Sequence, residues 1–181
     1  GKDVDTITVG NGNNTITAGD GANVIVAGNG NNTITTGKDA DTITIGSGAN
    51  TVSTGGGNDV VKLNAALTGL TTIDFGAGTD TLEVLAVPSA AGFYPSAIGL
   101  GAGDKIDLDA VANNAAAIDV TDLGAKITQG QAASFANYLD AATAGNGGAT
   151  SSVKWFQYGG NTYVVMDNSA AATFQDGVDV V

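Results

Sequence analysis

Glycine recurs at a strict period of nine residues across the first third of the chain. It opens seven consecutive units, in which the fifth position is Asp or Asn and the seventh is Ile or Val. Self-similarity at a fixed period is typical of repeat architectures, in which each unit adds one structural element to a stack. The units begin at Gly1, Gly10, Gly19, Gly28, Gly37, Gly46 and Gly55.

Each unit combines a turn with a short strand. Its first five positions are rich in Gly, Asn and Asp, which tolerate the positive φ angles of tight turns. The Thr-Ile-Thr pattern that follows favours a strand, because β-branched residues suit a pleated sheet. Side chains alternate across a strand, so the seventh and ninth positions, such as Ile43 and Ile45, share one face. A single unit cannot bury its Ile but stacked units can, so we predict a stack of units around a continuous Ile/Val core.

The composition excludes several classes of function. The 181 residues include no Cys, His or Arg, and 6 Lys against 18 Asp and Glu give a net charge of −12. A Ser-His-Asp triad, a Cys nucleophile and a His or Cys zinc site therefore cannot be built. Nucleic acids and anionic lipids are bound through Lys and Arg, so we expect no nucleic-acid partner. No apolar run reaches the roughly 18 residues of a transmembrane helix, so we expect no membrane insertion.

The units resemble the calcium-binding nonapeptide of RTX (repeats-in-toxin) proteins, G-G-x-G-x-D-x-U-x, where U is a large aliphatic residue. Residues 55–61, with the sequence GGGNDVV, match this pattern best, and it recurs at residues 76–82 after an interruption. The resemblance implies a mainly all-β chain in which residues 1–84 form a right-handed parallel β-roll, or β-solenoid, with two nonapeptides per turn. It also implies calcium in the turns and export of the unfolded chain by a type I secretion apparatus.

Two units per turn would place odd and even units on opposite edges of the roll. Every carboxylate of the seven units then lies on the odd edge, whereas the even edge carries Asn and Ser. Calcium takes about 6–8 oxygen ligands, so we predict calcium on the odd edge, with Asp39, Asp41 and Asp59 the strongest candidates. The alternative is a row of solvated turn residues. The candidate ligands there are Asp3, Asp5, Asp20, Asn23, Asp39, Asp41, Asn58 and Asp59.

Further candidates follow the seventh unit. Asp80 repeats the fifth position in an eighth unit. Residues 99–109 resemble the F/L-x-x-G-D-x-I-D-L segment that often closes the rolls of the family, and Asp104, Asp107 and Asp109 are candidates for another calcium ion. A polar edge strand is the alternative for this segment. On the even edge we predict that Asn side chains bond from rung to rung, with a weak calcium site as the alternative.

Residues 85–181 are expected to form a β-rich C-terminal cap with one short helix. Pro88–Ala97 is predicted to be a loop, and a Thr-x-x-Gln capping box begins a predicted helix over 128–143. Val153–Tyr158 and Thr162–Asp167 flank a Gly-rich turn and predict a hairpin. Residues 155–167 resemble the C-terminal regions of type I-secreted surface-layer proteins and large adhesins. The cap is therefore expected to cover the open end of the solenoid and to carry or adjoin the export signal.

Together these features favour a non-catalytic, calcium-stabilised structural module of a secreted bacterial surface protein, above all the C-terminal part of a surface-layer protein. Besides calcium and the type I secretion apparatus, the expected partners are further copies in a surface lattice or a cell-surface glycan. Alternatives are the roll of an RTX adhesin, an ice-binding surface of outward Thr rows, and the tail of an RTX protease or lipase whose catalytic domain is not in this chain. We expect no enzymatic activity, because Glu83 is the sole Glu and the Asp residues mostly occupy turns.

Overall fold

The computed structural model describes residues 1–86, 95–100, 102–107, 119–120, 152–158 and 161–167. The predicted helix over 128–143 lies outside these ranges. No helix in them is long and apolar enough to cross a membrane. The strands are β1 (Thr6–Val9), β2 (Thr15–Gly19), β3 (Val24–Ala27), β4 (Thr33–Thr36), β5 (Thr42–Ile45), β6 (Thr51–Ser53), β7 (Val60–Leu63), β8 (Thr72–Asp74), β9 (Thr81–Val84), β10 (Ser96–Ile98), β11 (Lys105–Asp107), β12 (Asp119–Val120), β13 (Ser152–Tyr158) and β14 (Asn161–Asp167).

Odd-numbered and even-numbered strands form two separate parallel sheets. One sheet has the order β1-β3-β5-β7-β9-β11, with β12 antiparallel at its end, and the other has the order β2-β4-β6-β8-β10. The chain therefore crosses from one sheet to the other at every turn. Equivalent positions of successive rungs pair directly, as Ile25 with Ile43 and Ile34 with Val52. The predicted parallel β-roll with two units per turn is confirmed.

Aliphatic side chains from both sheets fill the interior of the roll. Strands β3 and β4 alternate strictly between exposed and buried residues, as the period-two pattern predicts. Ile25, Ile34 and Ile43 are fully buried, and the ninth-position residues Ile45 and Leu63 join the same core. Each such side chain contributes about 1.5–3 kcal/mol through burial, so the column of Ile and Val holds the stacked rungs together.

The turns alternate between two edges, which we name by their chemistry. The Asp edge consists of the turns before β1, β3, β5, β7, β9 and β11, and the Asn edge of those before β2, β4, β6, β8 and β10. Across the Asp edge, the spacing between the starts of successive strands is always that of one repeat unit, from Thr15 and Val24 to Ser96 and Lys105. Across the Asn edge the spacing is longer in two turns, between Val60 and Thr72 and between Thr81 and Ser96.

The break in the repeat after β7 is a lengthened rung. Strand β6 pairs with β4 through Thr51 and Thr33, and β8 pairs with β6 through Thr72 and Thr51, so the register of the sheet is kept. The sequence suggested an interruption because the glycine period fails there. Strand pairing continues nonetheless, since the extra residues lie in an Asn-edge turn and leave the core positions in place.

Two more strands extend the sheets beyond residue 84. The predicted loop over Pro88–Ala97 is wrong at its end, because Ser96 and Ala97 pair in parallel with β8. The edge of β8 offers unpaired backbone groups, and pairing satisfies them. Strand β11 pairs in parallel with β9, so the same sheet continues beyond residue 84, and the division into residues 1–84 and 85–181 stays a prediction.

The predicted C-terminal hairpin is confirmed. Strands β13 and β14 pair antiparallel from Ser152 with Asp167 to Tyr158 with Asn161. Val165 is buried, and Val164 packs against the core of the roll. The hairpin therefore contributes to the same hydrophobic interior as the repeats.

Candidate calcium-binding edge

The last residue of each Asp-edge turn lies directly under the strand that follows. Asp41, Asp59 and Asp80 occupy this position in three successive rungs, and each is only 1% exposed. Asp41 Oδ1 accepts the backbone N–H of Asn23 at 2.7 Å. Asp59 and Asp80 do the same for the rung before them, at 2.8 Å each. One carboxylate oxygen of every residue therefore joins two rungs.

The second carboxylate oxygens have no partner. Oδ2 of Asp41, Asp59 and Asp80 is buried without a hydrogen bond. No ion pair within the described ranges involves these three residues; Lys62 binds Glu83 at 2.7 Å instead. A buried charge without a counter-charge costs several kcal/mol, and stacking carboxylates in one column adds repulsion. The column therefore needs a cation or protons.

Burial and neighbouring charges also raise the pKa values of carboxyl groups in the column. Burial raises the pKa of Asp41 above its ordinary value, opposed by the hydrogen bond from the Asn23 backbone, and the charge of Asp59 raises it further. Burial likewise raises the pKa of Asp80, with added repulsion from Asp59 and Asp104. Without a metal, both carboxyl groups are held in an environment that disfavours their charge.

The other Asp residues predicted on the odd edge are more exposed than this column. Asp39 is exposed and adopts a φ of 75°, which Asp tolerates better than most residues, and its Oδ2 accepts the Gly21 N–H at 3.2 Å. Asp3 is exposed and Asp5 is half-buried. Their role as ligands stays a prediction.

Two of these residues act as hydrogen-bond acceptors on the outside of the turns. Asp20 Oδ1 accepts the Lys38 N–H at 3.2 Å, and Asn58 Oδ1 accepts the Thr79 N–H at 2.9 Å. Asn23 differs from its Asp neighbours in the column. It is fully buried, its Oδ1 accepts the Asp5 N–H, and its Nδ2 donates to the Gly19 carbonyl at 3.1 Å.

The C-terminal candidates separate into two environments. Asp104 extends the column, because its Oδ1 accepts the Asp80 N–H at 2.7 Å. Asp107 instead lies on β11, and its carboxylate pairs with Lys105 at 3.0 Å. Asp109 lies outside the described residues. Asp104 and Asp107 therefore contact different parts of the roll, the turn of Asp80 and the side chain of Lys105.

The donor set of the column fits calcium. No point in the described ranges gathers three or more acidic side chains, so each ion would be held by carboxylates of neighbouring rungs together with turn carbonyls. Calcium accepts this mixture of hard oxygen ligands, and the unpartnered Oδ2 atoms are the oxygens available to it. Asp41, Asp59 and Asp80 would hold it, with Asp104 at the end. Calcium held there would neutralise the charge of the buried carboxylates.

The Asn edge forms the rung-to-rung ladder that the sequence predicted. Backbone N–H groups of Asn14 and Asn32 donate to Oδ1 of the Asn one rung on, at 3.2 and 3.0 Å. Thr71 closes this ladder, since its hydroxyl accepts the Asn50 N–H at 3.3 Å. The sequence reasoning missed Thr71 because the period fails there. Its place directly before the strand Thr72–Asp74 was the signal that could have revealed it.

Stacked nonapeptides with a buried carboxylate column define a calcium-binding β-roll. Residues 1–34 and 26–61 both match the family model described as the RTX calcium-binding nonapeptide repeat (4 copies). Residues 1–61 are therefore similar to the RTX nonapeptide repeats, and repeats of that family bind calcium. No curated protein matches the chain. The roll is thus a calcium-binding structural module.

Proposed function

We propose that the chain is the calcium-stiffened C-terminal part of a secreted bacterial surface-layer protein, and that the roll folds on extracellular calcium. The observation that carries the calcium-dependent folding is the buried column of Asp41, Asp59 and Asp80, each with an unpartnered Oδ2. A site of this kind is assembled only in the folded chain, so calcium binding and folding are coupled. The turns are the proposed metal-binding positions.

The charge of the chain supports a folding step outside the cell. A net charge of −12 opposes compaction while calcium is scarce, and neutralisation of the column removes part of that repulsion. Extracellular modules commonly bind calcium with dissociation constants of about 10⁻⁴–10⁻³ M. Export through a type I secretion apparatus, followed by folding outside, matches this order. RTX repeats are typical of secreted bacterial proteins.

The surface of the roll supports a structural rather than a catalytic role. Outward positions of β2, β4 and β6 carry Thr and Ser, as in Thr33, Thr35 and Thr51, and are largely exposed. Such a regular, weakly charged face suits repeated lateral contacts between copies or with a cell-surface glycan. We therefore assign no catalysis to this chain.

Two measurements test the proposal. Circular dichroism and thermal melting of the whole chain, with calcium or with EDTA, should show sheet formation and a higher Tm with calcium, and magnesium serves as the control cation. An identical Tm in EDTA and calcium would remove the calcium-folding step. Electron microscopy of the chain on cell-surface glycan should show calcium-dependent two-dimensional sheets. Calcium-dependent folding without sheets would refute the surface layer and favour an adhesin or enzyme tail.

A further inference from the structure

The two edges of the roll share one rung-to-rung hydrogen bond and differ in the remaining side-chain atom. At the last turn position, Oδ1 of either Asp or Asn accepts the backbone N–H of the preceding rung. The remaining atom is Oδ2 in Asp and Nδ2 in Asn. This single exchange replaces a negatively charged acceptor by a pair of N–H donors.

On the Asn edge the Nδ2 group reaches the carbonyl oxygens of its own turn. Asn32 Nδ2 contacts the Gly28 and Gly30 carbonyls at 3.1 and 3.0 Å, and Asn50 Oδ1 at 3.0 Å. Asn14 repeats this pattern with the carbonyls of Gly10 and Gly12 and with Asn32 Oδ1. Three oxygens therefore converge on one donor group in each turn.

The equivalent turn of the Asp edge has a carboxylate where the Asn edge has a side-chain amide. Asp41 stands at the same turn position, after the carbonyls of Gly37 and Asp39. The Gly37 carbonyl accepts the backbone N–H of Gly56 at 2.9 Å instead of a side-chain donor, and Asp41 Oδ2 has no hydrogen-bond partner. An ionised carboxylate cannot donate to these carbonyls. A cation can bind these oxygens as ligands, whereas a side-chain amide donates hydrogen bonds to some of them.

We propose that the side-chain amides of Asn14, Asn32 and Asn50 take the place of calcium on the Asn edge, so that the last turn residue decides, turn by turn, whether calcium is needed. The part concerning the Asp edge rests on the proposed function. The rule also covers Asn23, which lies on the Asp edge but donates its Nδ2 to the Gly19 carbonyl. The continuous run of carboxylates therefore starts at Asp41, because Asn23 separates it from Asp5.

The lengths of the turns support this division independently. The spacing of strand starts stays at one repeat unit across every Asp-edge turn, as a metal shared between rungs of fixed geometry requires. Longer spacings, from Val60 to Thr72 and from Thr81 to Ser96, occur only across the Asn edge. In the first of these turns Thr71 replaces Asn, and its hydroxyl donates to the Gly48 carbonyl of the preceding rung at 3.1 Å, so a side-chain donor again occupies the last turn position.

The test compares two double variants that add the same charge to the Asn edge. N32D/N50D converts both buried amides to carboxylates, whereas the control N13D/N31D alters two exposed residues. In the control pair, the side-chain oxygens that accept backbone N–H groups are kept. In EDTA, we expect N32D/N50D to lower the Tm by at least about 10 °C relative to the control. Calcium should restore most of that loss, and calorimetry should show additional bound calcium.

The reciprocal variant, Asp59→Asn, installs an amide on the Asp edge. It should raise the Tm in EDTA and reduce both the gain in Tm from calcium and the number of ions bound. Equal Tm values for N32D/N50D and N13D/N31D in EDTA, or a lower EDTA Tm for D59N, would overturn the substitution of amide for calcium. If the native chain showed no calcium effect, the proposed function would fail, while the EDTA comparison of the two double variants would still test the Asn edge.

Discussion

Replacing Asp59 with alanine should destabilise the roll in calcium far more than in EDTA. Asp59 is 1% exposed, its Oδ1 holds the Asp41 N–H at 2.8 Å, and its Oδ2 is unpartnered. Loss of the acceptor costs about 1–3 kcal/mol in either condition, because a buried N–H is left unsatisfied. In calcium, loss of one site filled at about 100 times its Kd removes about 2.7 kcal/mol more.

Comparing the variant in calcium and in EDTA therefore separates the stability contributed by the hydrogen bond from that contributed by the metal. In calcium the expected loss in unfolding free energy is the sum, roughly 4–6 kcal/mol. In EDTA, removal of an unpaired buried charge offsets the lost hydrogen bond, so the expected change is within about 1 kcal/mol. Urea denaturation followed by circular dichroism measures both values.

Asn31→Ala is the matched control for this experiment. Asn31 lies in an Asn-edge turn, is exposed, and its Oδ1 accepts a single backbone N–H from Ala49 at 2.9 Å. Its loss should cost no more than about 1.5 kcal/mol and the same amount in calcium and in EDTA. Equal destabilisation by Asp59→Ala in the two conditions would refute the reasoning, since the carboxylate would then act through its hydrogen bond alone.

Further predictions concern acidity and the core. The pKa values of Asp41 and Asp80 are raised in the folded, metal-free chain, so the protonated forms favour folding. In EDTA the Tm should therefore fall as the pH rises from about 4, near the unfolded pKa, to 7. In calcium the Tm should instead rise with pH, because protons compete with the metal for the carboxylates. Melting curves in EDTA that showed no pH dependence would contradict the raised pKa values of Asp41 and Asp80. Ile34→Ala, at a fully buried position, should cost about 2–5 kcal/mol with or without calcium, whereas Thr33→Ala on the exposed face should cost under about 1 kcal/mol by urea denaturation.

The periodic part of the fold could be predicted from sequence because local and global signals agree there. The glycine period located the turns, and the alternation in Thr33–Thr36 located the buried Ile34. The lengthened rung escaped prediction because β8 is held by pairing with backbone groups of the previous rung, from Thr51 to Ser53. A nine-residue pattern contains no information about such an insertion.

The sequence predicted which edge of the roll carries the candidate site, but not which atoms form it. Sequence spacing ranked Asp39 with Asp41, yet Asp39 is exposed at a positive φ while Asp41 is buried beneath its strand. The difference arises because only the residue directly before a strand turns its side chain into the stack. Which oxygen of Asp41 remains unpartnered depends on the neighbouring rung, since the Asn23 N–H takes Oδ1.

Turn length varies only on the Asn edge of the roll, and this variation leaves the stacking of the strands unchanged. Strands joined by short or by lengthened Asn-edge turns keep the same sheet pairing, as β10 does with β8. The entropy of loop closure rises slowly with length, so segments can be spliced into these turns with little loss of stability. Recognition loops acquired in this way would all project from one side of the roll. A molecule built on this plan can diversify what it displays while the turns of the opposite side keep a constant length.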